Sequence, residues 1–104
     1  MEKNADCNNN DFEIKGIELV KYRGKNKNVL VPKKVRFVLN GAFENCDFIE
    51  HITFQSNLYQ IGKKAFDECT NLKSIILPEE VDFIDDEAFS GCSSLEEIMI
   101  PKGI

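Results

Sequence analysis

The chain has 104 residues, of which 42% are apolar and 30% charged, and its formal net charge is −5. This length suits one domain with a modest core and excludes a large multidomain enzyme. A pI near 4.9 argues against a nucleic-acid partner, whose phosphates favour a basic surface.

No apolar run exceeds three residues, as in Val29-Leu30-Val31 and Ile75-Ile76-Leu77. A spanning helix needs about 20, so no membrane insertion is expected. The first residues, Met1 to Asp6, contain no apolar h-region, and a secretory signal is not expected in this stretch.

Taken in chain order, residues 1–10 are rich in Asn without an apolar pattern and are expected to be disordered. Residues 11–28 predict a capping hairpin. Phe12 and Ile14 alternate in one run and Ile17, Leu19 and Tyr22 mark the next. The turn is expected at Lys15-Gly16, where glycine tolerates a positive φ. The remainder, residues 29–104, is a repeat array.

Ala-Phe occurs at Ala42-Phe43, Ala65-Phe66 and Ala88-Phe89, in steps of 23 residues, and a cysteine follows each Phe by three: Cys46, Cys69 and Cys92. The same step joins Val29, Ile52, Ile75 and Ile98, and then Val31, Phe54, Leu77 and Ile100. Proline follows at Pro32, Pro78 and Pro101, with Gln55 as the exception. Full repeats therefore cover 29–51, 52–74 and 75–97, with a partial one at 98–104. Each opens as a short strand, because apolar residues two apart share a face. A second short extended piece follows, and then a tight or single helical turn. One repeat cannot bury two sides alone, so neighbours must stack into a solenoid.

The pattern from Ile75 to Ile98, with its A-F-x-x-C turn and post-strand proline, resembles the BspA-like (Treponema-type) leucine-rich repeat. The resemblance covers about residues 29–104. It implies a mainly β solenoid with short helical or 3₁₀ turns, a parallel sheet on the concave side of an arc, and the hairpin as N-terminal cap. It also implies a surface or extracellular protein, since members commonly bind host proteins or other cells.

The residues that could carry chemistry point elsewhere. No C-x-x-C occurs, so a zinc site is not expected. Stacked thiols in one column point the same way, which disfavours a disulfide. Cys46, Cys69 and Cys92 are expected as buried structural thiols, and Cys7 as an exposed, oxidisable one. His51 is the one imidazole, and catalysis would require a nucleophile and an orienting group beside it. No nucleotide-binding glycine motif and no D-x-D-x-D-G calcium loop is present. Neither an enzyme nor a cofactor is expected.

Charge is distributed unevenly. Residues 75–97 hold eight acids and no Lys or Arg, whereas Lys21, Arg23, Lys25, Lys27, Lys33, Lys34 and Arg36 gather near the other end. The acids read first as a solvated face and second as one pole of a charge-steered module.

If Ile52, Ile75 and Ile98 point inwards, Leu30, Thr53, Ile76 and Met99 must line up on the outer face of the sheet. Asn28, His51, Ser74 and Glu97 flank them. Apolar residues where a solvated sheet would be polar predict a partner-binding stripe. The expected function is a non-catalytic protein-interaction module, for adhesion or surface recognition. The alternative is a structural unit that self-associates through Ile98, Ile100 and Ile104 at an uncapped C-terminal repeat, forming a homodimer, or an excerpt of a longer array.

Overall fold

Each 23-residue period forms one coil of a β-solenoid and contributes to two separate sheets. The computed structural model describes residues 11–55, 58–79 and 81–99. In chain order the strands are β1 (Phe12–Lys15), β2 (Glu18–Tyr22), β3 (Asn28–Val31), β4 (Phe37–Val38), β5 (His51–Phe54), β6 (Gln60–Ile61), β7 (Ser74–Ile76), β8 (Phe83–Ile84) and β9 (Glu97–Met99). The longer strands form one parallel sheet, β3-β5-β7-β9. The short ones form a second, in the order β1-β2-β4-β6-β8, with only the β1–β2 pair antiparallel.

Register follows the sequence period. Val29 stands opposite Ile52, Ile52 opposite Ile75, and Ile75 opposite Ile98. In the other sheet Val38 stands opposite Ile61, and Ile61 opposite Ile84. These columns point inwards, and Val29, Val38, Ile52, Ile61 and Ile75 are all buried. Between the sheets the phenylalanines of the Ala-Phe turns stack. Phe43, Phe66 and Phe89 have ring centroids 4.9 and 5.2 Å apart at interplanar angles of 13° and 5°. That spacing is close to the distance between hydrogen-bonded strands, so the ring stack and the ladders share one repeat distance. Phe54 meets Phe66 edge-on, tying the long-strand sheet to this stack.

The hairpin closes the first coil. Tyr22 continues the aromatic column onto Phe43 at 5.3 Å, and Phe12 tilts against Tyr22 at 5.2 Å. Its turn falls at Gly16-Ile17, one residue later than expected, with Gly16 at φ +64°. Ile17 therefore sits exposed at the tip instead of joining the run of Leu19 and Tyr22, because β2 begins only at Glu18. The expected mobile segment 1–10 lies outside the described residues.

The Ala-Phe segments are turns, and no α-helix forms among the described residues. The backbone donors show why. Ala42, Glu44 and Cys46 donate to Leu39, Gly41 and Phe43, closing local i→i+3 turns. The alternate donors Gly41, Phe43 and Asn45 instead reach Lys63, Ala65 and Asp67 of the next coil. A continuous 3₁₀ helix would need all of them locally.

This path requires two left-handed residues per coil. They are Gly41 and Asn45, then Lys64 and Glu68, then Glu87 and Gly91, with φ between 56° and 76°. Gly62 serves a different purpose. A Cβ there would lie 2.5 Å from Asn40 Oδ1, and that oxygen accepts the Lys63 N–H at 2.8 Å.

The missing proline also has an explanation. Gln55 Nε2 donates to the Val31 carbonyl of the preceding coil at 3.0 Å, adding an inter-coil bond at a position where Pro32 and Pro78 offer none.

Candidate protein-binding surface

Among the residues expected to be functional, the long-strand sheet brings together those that fall within it. Inward residues hold the sheet, and period-2 alternation turns Leu30, Thr53 and Ile76 outwards in adjacent strands. Leu30 is 43% and Ile76 44% exposed, with the half-buried Thr53 between them. Met99 stands opposite Ile76 in the register of β9. Of the residues expected to self-associate, Ile98 is half-buried against the core, while Ile100 and Ile104 lie outside the described residues.

The flanking column is polar and cross-linked. His51 Nδ1 and Ser74 Oγ lie 2.8 Å apart, joining β5 to β7. Both belong to the column of Asn28 and Glu97, of which Asn28, His51 and Glu97 are exposed and Ser74 half-buried. One residue earlier, Lys73 Nζ approaches Glu50 Oε1 at 3.9 Å. An exposed ion pair of this length is worth little energetically. The Ser–His contact lies on an open sheet face, without the enclosed geometry that would activate a serine.

Cys46, Cys69 and Cys92 are free thiols in one inward column. Cys69 Sγ donates to the Phe43 carbonyl and Cys92 Sγ to the Phe66 carbonyl, each at 3.1 Å. Each thiol thus bonds the backbone of the preceding coil, a role that column spacing alone does not reveal. Burial pushes the Cys46 thiol up to about 11, with the Lys21 charge working against it. Cys69 and Cys92 titrate as a pair. Their mutual contact, followed by burial, keeps the proton on Cys69, and the same contact moves Cys92 downwards. Cys46 and Cys69, buried and protonated, are therefore poor nucleophiles. No group of three or more His, Cys, Asp or Glu among the described residues could hold a metal ion.

A cavity of about 410 Å³ lies between the hairpin and the first coil, lined by Phe12, Ile14, Pro32, Lys33 and Lys34. It offers two ammonium groups over an apolar floor, with no acid and base paired for proton transfer. No helix among the described residues is long and apolar enough to cross a membrane.

A feature the sequence reading missed lies on the opposite side. Phe37, Tyr59 and Phe83 turn outwards from the short-strand sheet, where Phe83 is 61% exposed. Phe37 and Tyr59 meet edge-on at 5.9 Å, and the Arg36 guanidinium sits 5.9 Å from the Tyr59 ring.

Stacked coils, two parallel sheets and an inward Ala-Phe-x-x-Cys turn define a leucine-rich-repeat solenoid. The model of the BspA-type leucine-rich repeat region matches residues 17–104 in six copies, and the chain belongs to that family. The solved leucine-rich-repeat protein of T. pallidum superposes with a TM-score of 0.91 at 30% identity. The alignment covers 96% of this chain and 52% of that one, so this chain spans about half its length. A leucine-rich cell surface protein from Faecalibacterium prausnitzii aligns at 19% identity over 90% of this chain and 40% of its own, with a TM-score of 0.47. No curated protein matches the chain.

Proposed function

We propose that this chain is a non-catalytic protein-interaction module whose partner lies across the outer face of the long-strand sheet, in adhesion or recognition at a cell surface. The observation that carries this reading is the pair Leu30 and Ile76, each more than two-fifths exposed on a rigid parallel ladder. A solvated sheet face ordinarily presents polar side chains there, and an apolar stripe with a polar rim is the usual anatomy of a contact surface. Membership in a repeat family built around extended binding faces supports the same reading.

The test uses immobilised full-length chain to retain proteins from surface extracts of candidate host or neighbouring cells. Proteins held by the wild type should be lost from a Leu30→Lys/Ile76→Lys variant and kept by Phe83→Lys on the other sheet. Retention that ignores the first variant would remove the long-strand face as the binding surface.

A further inference from the structure

We propose that the outer face of the short-strand sheet is a self-association surface that pairs two copies of this chain antiparallel, face to face. The apolar part comes from Phe37, Tyr59 and Phe83, one from each coil, with Phe83 the most exposed large apolar side chain among the described residues. Val38, Ile61 and Ile84 point to the core, so among the described residues no further layer of the solenoid packs over the outward rings.

The charges beside this stripe identify the occupant. Lys33 and Arg36 in the first coil occupy the columns that hold Glu79 and Asp82 two periods later. The same two columns therefore change sign from one end of the stripe to the other, with Ser56 and Tyr59 between. Lys15 and Glu18 at the hairpin offset each other.

A two-fold axis through the middle coil lays the first coil of one copy over the third coil of its partner. Lysine then meets glutamate, Arg36 meets aspartate, and Phe37 meets Phe83, twice over. A pattern antisymmetric in charge about its own centre is self-complementary under that rotation, as an isologous interface requires. Parallel stacking in the same orientation would set like charges against each other.

Mass measurement of the full chain by light scattering or sedimentation, over a wide concentration range at low and high salt, tests this. A monomer–dimer equilibrium that weakens with salt is expected. Two variants reverse one pole each: Lys33→Glu/Arg36→Glu and Glu79→Lys/Asp82→Lys. Each alone should raise the dimer dissociation constant by at least about tenfold, because like charges then face each other twice. Mixed in equal amounts, they should form a heterodimer about as tight as the wild-type dimer.

Phe83→Ser should also abolish dimerisation with little change in melting temperature, since that side chain is exposed. A wild-type chain that stays monomeric throughout overturns the proposal. So does a dimer that survives both single-pole variants, which would place the contact elsewhere. Failure of the mixture to recover the dimer would exclude the antiparallel pairing.

Discussion

The long-strand and short-strand sheets are stacked by the same period and share one core, yet their outer faces differ in kind. Strands of the first run for three or four residues and alternate strictly, giving an aliphatic stripe of Leu30 and Ile76 beside a polar column. Strands of the second have two residues, and the carbonyl of Arg36 accepts from both Tyr59 and Gln60 where β6 begins. Two successive residues therefore face out, and the result is an aromatic face with opposite charges at its ends. Strand length decides the type of surface. A longer strand yields a uniform stripe, whereas a corner mixes rings and charges.

The largest expected effect removes the support common to both faces. Phe66 is fully buried, stacked between Phe43 and Phe89 and edge-on to Phe54. Phe66→Ala should cost about 3–5 kcal/mol by chemical denaturation. It should disable partner binding and self-association together. Loss of only one would mean that the sheets do not depend on the same core.

A smaller effect comes from pH. Cys46 keeps its proton when folded, up to about 11, against an ordinary value of 9.0. Between those values the unfolded chain releases a proton that the folded chain holds, so stability should fall as pH rises through that window. It should be fully present below pH 9. Cys46→Ala should flatten the decline in a denaturation series, and an unchanged slope would exclude this thiol as its source.

The smallest effect concerns the turns that separate the sheets. Lys64 adopts φ 56° in the column where the first coil has Gly41. Lys64→Gly removes the Cβ penalty of the left-handed region but frees the unfolded chain, for a net gain of up to about 1 kcal/mol. Gly91→Ala should destabilise, since its Cβ would lie 2.5 Å from Glu68 Oε2 at φ +76°. A thermal melt of each variant checks the signs.

The difference between the sheets also explains what the sequence disclosed. Val29, Ile52 and Ile75 repeat at one interval and alternate with outward neighbours, so the coil, the parallel register and the stripe of Leu30 and Ile76 follow directly. Phe37, Tyr59 and Phe83 were hidden because they occupy two adjacent columns and the corner breaks alternation. The left-handed positions were hidden for another reason. Lys64, Glu68 and Glu87 are ordinary residues in that conformation, with glycine present only at their counterparts Gly41 and Gly91, and the Glu68 N–H donates to the Ser90 carbonyl of the next coil. Gln55 looked like a lapse in the proline column, and only its bond to the Val31 carbonyl gives it a purpose.

The most direct test of the account is equilibrium binding of a retained partner to three proteins: the wild type, Leu30→Lys/Ile76→Lys, and Phe83→Lys. The account predicts that the first variant loses affinity by about a hundredfold or more, as expected when two apolar contacts are replaced by charges. Phe83→Lys should bind as the wild type does, with both variants melting near the wild-type temperature. Equal affinity for the wild type and the Leu30→Lys/Ile76→Lys variant, with loss confined to Phe83→Lys, would contradict it.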